Sequence, residues 1–225
     1  MITFEKVTKR FPLGNTALDT VSFAIDEHEF VFLVGPSGAG KTTILKLILH
    51  EVVPTSGSIL VNSVDITQKG FSGVDKLRRS IGFVFQDFKV LPDRSVFENS
   101  ALGLLISGVK QSVIKKEVRE ALHLVGLSEK ERLFPVQLSA GELQRVAIAR
   151  ALCGERSIIL ADEPTGNLDM KTTWDIMKIF KKIEGKRTIV IATHNADIVN
   201  SLRKRVIYMK HGAVIKDIRK GTYDL

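Results

Sequence analysis

Cysteine is almost missing from this sequence. Cys153 is the single one among 225 residues, so neither an intramolecular disulfide nor a thiolate metal cluster can form. It lies in an apolar stretch and reads as filler. Long apolar runs are missing too: nothing uncharged approaches the ~18 residues of a membrane-crossing helix. The opening Met1-Ile-Thr-Phe-Glu-Lys6 lacks the layout of a signal peptide, and the expectation is a chain made and kept in the cytosol. The formal charge of +8 is scattered in short groups such as Arg78-Arg79, Lys115-Lys116 and Lys181-Lys182. No long basic run with interleaved aromatics occurs, which argues against a nucleic-acid partner. Solvation plus a site for a polyanion explains the surplus, with proximity to anionic lipid as the second reading. There is no [NT]-K-x-D motif of the kind that reads guanine, no internal repeat and no low-complexity segment.

What is present is an ordinary globular composition, 44% hydrophobic and 26% charged, long enough for one large core with a lobe set apart. The chain is organised around Phe30 to Thr43. Phe30-Val-Phe-Leu-Val34 reads as a strand covered on both faces. Gly35-Pro-Ser-Gly-Ala-Gly40-Lys41-Thr42 matches G-x-x-x-x-G-K-[ST], and an apolar helix follows to about His50. Strand, glycine loop and helix together make a phosphate cradle. Gly35, Ser37, Gly38, Ala39, Gly40 and Thr43 would present backbone N–H groups and Lys41 a full positive charge. Thr42 would offer a hydroxyl to magnesium.

Upstream, Ile2/Phe4 and Val21, Phe23, Ile25 alternate with period two, which predicts an antiparallel start with a turn at Pro12–Asn15. Phe11, just before that turn, suits either an adenine-stacking ring or a strand-end core residue. Ile81–Phe85 reads as a strand ended by Gln86, a residue able to reach a metal or water or merely to cap the strand. From Asp93 the spacing turns helical, and residues 88–150 are expected as a helical lobe inserted into the core formed by 1–87 and 151–225. Gly126 should end one of its helices. Ser139 and Glu142 form a capping box before Leu143, Val146 and Ala147. With Gly141, that helix start serves as a plain cap or as an anion site. Ser157–Ala161 is a buried strand ending in Asp162-Glu163, and two adjacent carboxylates there need a cation. Beside a phosphate loop that cation is magnesium, with Asp162 in its shell and Glu163 free to orient or deprotonate water. Thr172–Ile183 reads as an amphipathic helix, with Trp174 as packing. Thr188–Ala192 is a further buried strand that delivers His194 to the rim where such sheets bind ligands. Val206–Met209 and Val214–Ile218 read as a hairpin turning at His211-Gly212.

In that order, Phe11, the glycine loop, Gln86, Leu138-Ser-Ala-Gly-Glu142, Ile158–Glu163, Gly166-Asn-Leu-Asp169 and His194 resemble the ATP-binding-cassette ATPases. The resemblance spans most of the chain. Val84–Asn99 and Ala161–Asp169 are similar to the cell-division branch of that family, and the Gly166–Asp169 stretch also to lipoprotein-releasing and macrolide-type transporter subunits. It implies a P-loop NTPase fold with a RecA-like α/β core, an antiparallel β subdomain and an inserted α-helical subdomain. It further implies ATP and Mg2+ as cofactors, with Phe11 stacking adenine and Lys41 on the β/γ oxygens. Thr42, Gln86 and Asp162 would serve the metal, Glu163 would act as general base, and His194 would hold the γ-phosphate. Ser139, Gly141 and Glu142 would meet the triphosphate of a second copy, so the working unit would be a homodimer. An FtsX-like integral membrane protein would be its partner at the cytoplasmic face of the cell membrane, with cell-wall hydrolases indirectly downstream. Two departures stand out: Ala140 and Glu142 replace the glycine and glutamine of the usual signature, and Phe11 stands where tyrosine is common.

Overall fold

The computed structural model describes residues 1–12 and 14–223. In chain order the elements are β1 (Ile2–Arg10), β2 (Thr16–Ile25), β3 (Phe30–Val34), α1 (Lys41–Ile48), β4 (Ser56–Val61), β5 (Val64–Asp65), α2 (Val74–Ser80) and β6 (Ile81–Val84). There follow α3 (Val96–Ile106), α4 (Gln111–Val125), α5 (Ala140–Leu152), β7 (Ile158–Asp162) and α6 (Met170–Ile183). The chain continues with β8 (Thr188–Thr193), α7 (Ala196–Leu202), β9 (Arg205–Lys210) and β10 (Ala213–Ile218). They sort into two compact units, Met1–Arg78 with Glu184–Leu225, and Arg79–Ile183. The boundaries expected at 88 and 150 fall inside the second unit, which also carries β6, β7 and α6.

In the first unit an antiparallel sheet runs β2-β1-β4-β5. Ile2 pairs with Ile25 and Phe4 with Phe23, and the two Phe rings stack at 4.6 Å, as period-two alternation requires when one face is buried. The predicted turn at Pro12–Asn15 includes Leu13, which lies outside the described residues; beside it the Phe11 N–H donates to Asn15 O at 2.9 Å. The other strands of this unit centre on β3, all five residues of which are buried. It pairs in parallel with β8 on one side and β9 on the other, matching its continuous apolarity. β9 and β10 form the predicted hairpin, with φ of +49° at His211 and +78° at Gly212. Two positive φ angles fit the turn that best matches strand twist. The Asp19 N–H donates to Gly212 O at 2.9 Å, tying β2 to this hairpin.

In the second unit β6 and β7 pair in parallel from Ile81↔Ile158 to Val84↔Ala161. Helices α3, α4, α5 and α6 accompany them, and their ends are chemically marked. α3 starts on a full Ser95/Glu98 capping box, α4 stops at Gly126 with φ +74°, and α5 starts on a full Ser139/Glu142 box. Asp169 caps α6, accepting from the Thr172 N–H at 3.0 Å. The sequence reading did not anticipate α7, β5 or the short 3-10 turns at Ser128–Lys130 and Pro135–Gln137. Each is too short to show a hydrophobic period.

Asn99 is fully buried and holds the loop ahead of α3. Its Oδ1 accepts from the Leu91 N–H at 2.7 Å, and its Nδ2 donates to Leu91 O, Arg94 O and Ser95 O at 2.9–3.0 Å. Truncation would strand several backbone groups at once. Asn99→Ala should lower stability by about 2–3 kcal/mol, a drop of about 4–12 °C in melting temperature for a chain of this size, measurable by circular dichroism. A shift within 1 °C of the parent, allowing for ~0.5 kcal/mol of ordinary surface variation, would show the loop to be held by something else.

Candidate functional site

The phosphate loop leaves β3 at Gly35 and enters α1 at Lys41. Two glycines in it are forced by their surroundings. Gly35 has φ +148°, and a Cβ there would run into the carbonyl of Met209 on β9. Gly40, with φ +101°, would bring a Cβ within 2.6 Å of Ala17 O and 2.7 Å of Leu18 Cδ2 on β2. Neither a side chain nor an ordinary backbone angle fits. Between them Pro36, Ser37 and Gly38 are exposed, while Ala39 is buried. Lys41 is only 7% exposed and folds back, its Nζ donating to Gly35 O at 2.8 Å and Pro36 O at 3.0 Å. α1 begins on Gly40 with no side-chain cap and no acidic residue in its first turn. Its positive dipole end and the Lys41 ammonium therefore add. Thr42 is exposed and Thr43 half-buried.

His194 joins this cluster. Because Val34 pairs with Thr193, the chain leaves β8 at His194 beside the point where it leaves β3 at Gly35. The imidazole is exposed, and Asn195 behind it caps α7 by accepting from the Ile198 N–H at 3.2 Å. Phe11 is half-buried, which is compatible with a stacking ring or with a packed residue at the strand end. The Lys9 ammonium lies 5.1 Å from its ring centroid and donates to Val53 O at 2.8 Å.

The second unit gathers a different set. The Val84↔Ala161 pairing brings Gln86 and Glu163 to the same height past the ends of β6 and β7. The Asn167 Nδ2 donates to Gln86 O at 3.4 Å, and a Cβ on Gly166 would lie 3.2 Å from Gln86 Nε2. Asp162 ends β7, and Glu163 follows with φ +45°, a left-handed conformation that costs about 1–2 kcal/mol. The turn is closed by the Gly166 N–H donating to Glu163 O at 3.1 Å. It breaks the alternation of the strand and re-aims the carboxylate, the kind of strain that functional sites carry.

Ser139 and Glu142 open α5 in the same unit. The Ser139 N–H and Oγ donate to Glu142 Oε2 at 2.9 and 3.1 Å, while Glu142 Oε1 takes the Lys130 ammonium. Lys130, then the Ser139 amide, hold the Glu142 carboxyl below the usual carboxylate range, so it is ionised throughout neutral pH. Gly141 has a packing reason of its own: a Cβ there would strike the methyl of Thr172 on α6. Sequence reasoning missed Lys130, because a lysine on a short connector carries no periodic signal. It also missed Arg150, whose guanidinium donates to Phe88 O at 2.8 Å and Lys89 O at 2.5 Å.

The expected metal donors are a hydroxyl (Thr42), an amide oxygen (Gln86) and a carboxylate (Asp162), all hard oxygens. Among the described residues no group of three or more His, Cys, Asp and Glu could hold a metal ion. Each of the three is by itself a donor of the kind magnesium takes beside phosphate oxygens and water. Among the described residues, too, no helix is long and apolar enough to cross a membrane.

Comparison with known proteins bears on all of this. The family described as ABC transporter matches residues 18–166. The chain is similar to the cell division ATP-binding protein FtsE of Bacillus subtilis, 48% identical over 224 residues, 99% of this chain and 98% of the relative. FtsE of Mycobacterium tuberculosis is 43% identical over 227 residues, 100% and 99% of the two chains. A solved cassette, MJ0796, in a dimeric post-hydrolysis state bound to ADP and Pi, superposes with a TM-score of 0.88 at 36% identity. It covers 99% of this chain and 100% of its own. The expected fold, an α/β P-loop NTPase of the ATP-binding-cassette kind, is that of these neighbours.

Gly40→Ala tests the loop. The added methyl has backbone on one side and Leu18 on the other, so the loop must shift away from its cradle geometry. Nucleotide affinity should fall at least tenfold, about 1.4 kcal/mol or more, in a fluorescent-nucleotide titration run beside a circular dichroism check of folding. A folded variant that binds as tightly as the parent would show that the cradle does not need this glycine.

Proposed function

The chain belongs to the ABC transporter family, among its FtsE-type cell-division ATP-binding proteins, and from that premise we propose a motor that works as a homodimer on an FtsX-like integral membrane protein. The chain is an ATPase. In this reading it sits peripherally at the cytoplasmic face of the cell membrane, and its dimer closes on two ATP and opens after hydrolysis. The membrane protein passes that motion to cell-wall hydrolases on the far side. Residues 88–150 form the lobe that meets the membrane protein, near Gln86 to Arg94. The observation that carries the proposal is the near end-to-end correspondence with cell-division cassettes, 98–99% of the relatives' length.

Each predicted residue has a task. Phe11 stacks on adenine with its ring face. Gly35, Ser37, Gly38, Ala39, Gly40 and Thr43 wrap the phosphates with backbone donors, and Lys41 turns its ammonium from Gly35 O and Pro36 O toward the β/γ oxygens. Thr42, Gln86 and Asp162 would hold magnesium, which would supply charge neutralisation to the triphosphate. Glu163 takes a proton from the attacking water as its oxygen bonds to the γ-phosphorus. The bond from γ-phosphorus to the β–γ bridging oxygen breaks, leaving ADP and phosphate. His194 donates to a γ oxygen and keeps the group in line. Ser139 and Gly141, on the helix capped by Glu142, face the triphosphate held by the other copy. Two ATP neutralise the facing positive ends, and loss of phosphate lets them part.

Glu163→Gln keeps size and hydrogen bonding but removes the base. Turnover should fall about a hundredfold or more, the usual contribution of a positioned general base, and an ATP-bound dimer should persist in light scattering. Unchanged phosphate release would take Glu163 out of that role. The partner is tested by affinity purification of the tagged cassette from detergent-solubilised membranes. Recovery of an FtsX-like protein is expected, and reproducible recovery of a lipoprotein-releasing or macrolide-type permease instead would reassign the complex.

A further inference from the structure

We infer that Lys130 is a positioning residue for the phosphate-facing end of α5: its ammonium cancels the charge of the acid that caps this helix, so that the capped end can still meet a triphosphate. The inference rests on the reading above, in which Ser139 meets the nucleotide of the other copy. An acid at this position is a physical problem. A helix N-terminus attracts a polyanion through its exposed N–H groups and dipole, and a carboxylate three residues in opposes that attraction. The two Glu142 oxygens divide the work. Oε2 accepts from the Ser139 N–H and Oγ at 2.9 and 3.1 Å, which fixes the cap, and Oε1 accepts from Lys130, which removes the net charge.

Lys130 is delivered by a connector that is tied down along its length. Leu127 is 2% exposed. The Lys130 N–H donates to Leu127 O and the Leu133 N–H to Lys130 O, both at 3.0 Å. The first two residues of α3 hold the same segment, the Val96 N–H donating to Leu133 O at 2.8 Å and the Phe97 N–H to Glu131 O at 2.9 Å. Glu131 is itself balanced by Arg119 of α4 at 3.3 Å. Lys130 is therefore not a drifting surface cation, and the neighbouring acid does not compete for it. The pair is partly sheltered, its side chains 39% and 25% exposed.

The test compares Lys130→Ala, Lys130→Arg, Glu142→Gln and the Lys130→Ala/Glu142→Gln double variant in full-length protein. KM for ATP, kcat and melting temperature are measured at low salt and at 0.5 M salt, where the screening length falls to ~4 Å. Lys130→Ala should raise KM about tenfold at low salt, with kcat within about twofold, and the penalty should shrink at high salt. Lys130→Arg should stay near the parent, and the double variant should recover most of the lost KM, because removing the carboxylate removes the need for its counter-charge. A mere brace predicts otherwise: a lower melting temperature in both Lys130→Ala and the double variant, with no recovery and no salt signature. That result, or an unchanged KM in Lys130→Ala, overturns the inference. Ser139→Arg separates the two layers. If it blocks ATP-driven dimerisation in the Glu163→Gln background while Lys130→Ala leaves KM untouched, only the role of Lys130 fails. If dimerisation survives Ser139→Arg, the facing-helix reading fails, and the role of Lys130 falls with it.

Discussion

A lysine ammonium folded against its own loop is the interaction on which the first unit turns. Lys41 is 7% exposed, and its Nζ rests on the carbonyls of Gly35 and Pro36. Those two carbonyls hold the cation at the mouth of α1, whose first turn carries no acid. The geometry that creates it reaches through the unit. Gly35 must lack a side chain because Met209 on β9 stands against it, and Gly40 because Ala17 on β2 does. The hairpin, the antiparallel sheet and the buried strand are thus all walls of one loop.

The second unit solves the opposite problem, keeping negative charge under control. α3 and α5 both begin on a serine with a glutamate three residues on. In α3 the acid Glu98 has Arg94 at 3.7 Å, four residues back on an exposed stretch, and exposed pairs contribute little. In α5 the counter-charge comes from a separate connector pinned to α3 and α4. The same local motif is therefore wired differently at the helix start that the resemblance places against the nucleotide of a second copy. At Glu163 the left-handed backbone is closed by a tight turn, the Gly166 N–H donating to Glu163 O.

Much of this was legible in the residues because it depends on local rules. Phe30–Val34 announces a doubly covered strand by having no polar residue. Gly126, the Ser139/Glu142 box and His211-Gly212 each state a backbone requirement that only certain residues meet. The glycine loop, the acid pair after β7 and His194 after β8 follow from strand ends of predictable register. What was not legible depends on partners far apart in sequence. Lys130 meets Glu142 only once a connector has been bonded to two helices. Gly141 looked like an exposed donor and proves also to be a point of close packing, since Thr172 is thirty-one residues away in number and adjacent in space.

The same non-local bonding makes α5 more than a platform for Ser139. The helix has 13 residues, a rod of about 20 Å at 1.5 Å per residue. At its start stand Ser139 and Glu142. Near its end Arg150 grips the carbonyls of Phe88 and Lys89, two residues with φ of +61° and +49° that would not hold this shape unsupported. A few residues on, Asn99 of α3 fixes Leu91, Arg94 and Ser95 by side-chain hydrogen bonds. The stretch after Gln86 is thereby clamped from both sides instead of running free as an ordinary surface loop. A force applied at the Ser139 end has a stiff path to that stretch. The stretch is also the one that carries the similarity to the cell-division branch. Its backbone is shaped by α5 and α3, while Leu91, Pro92, Asp93 and Arg94 stay exposed.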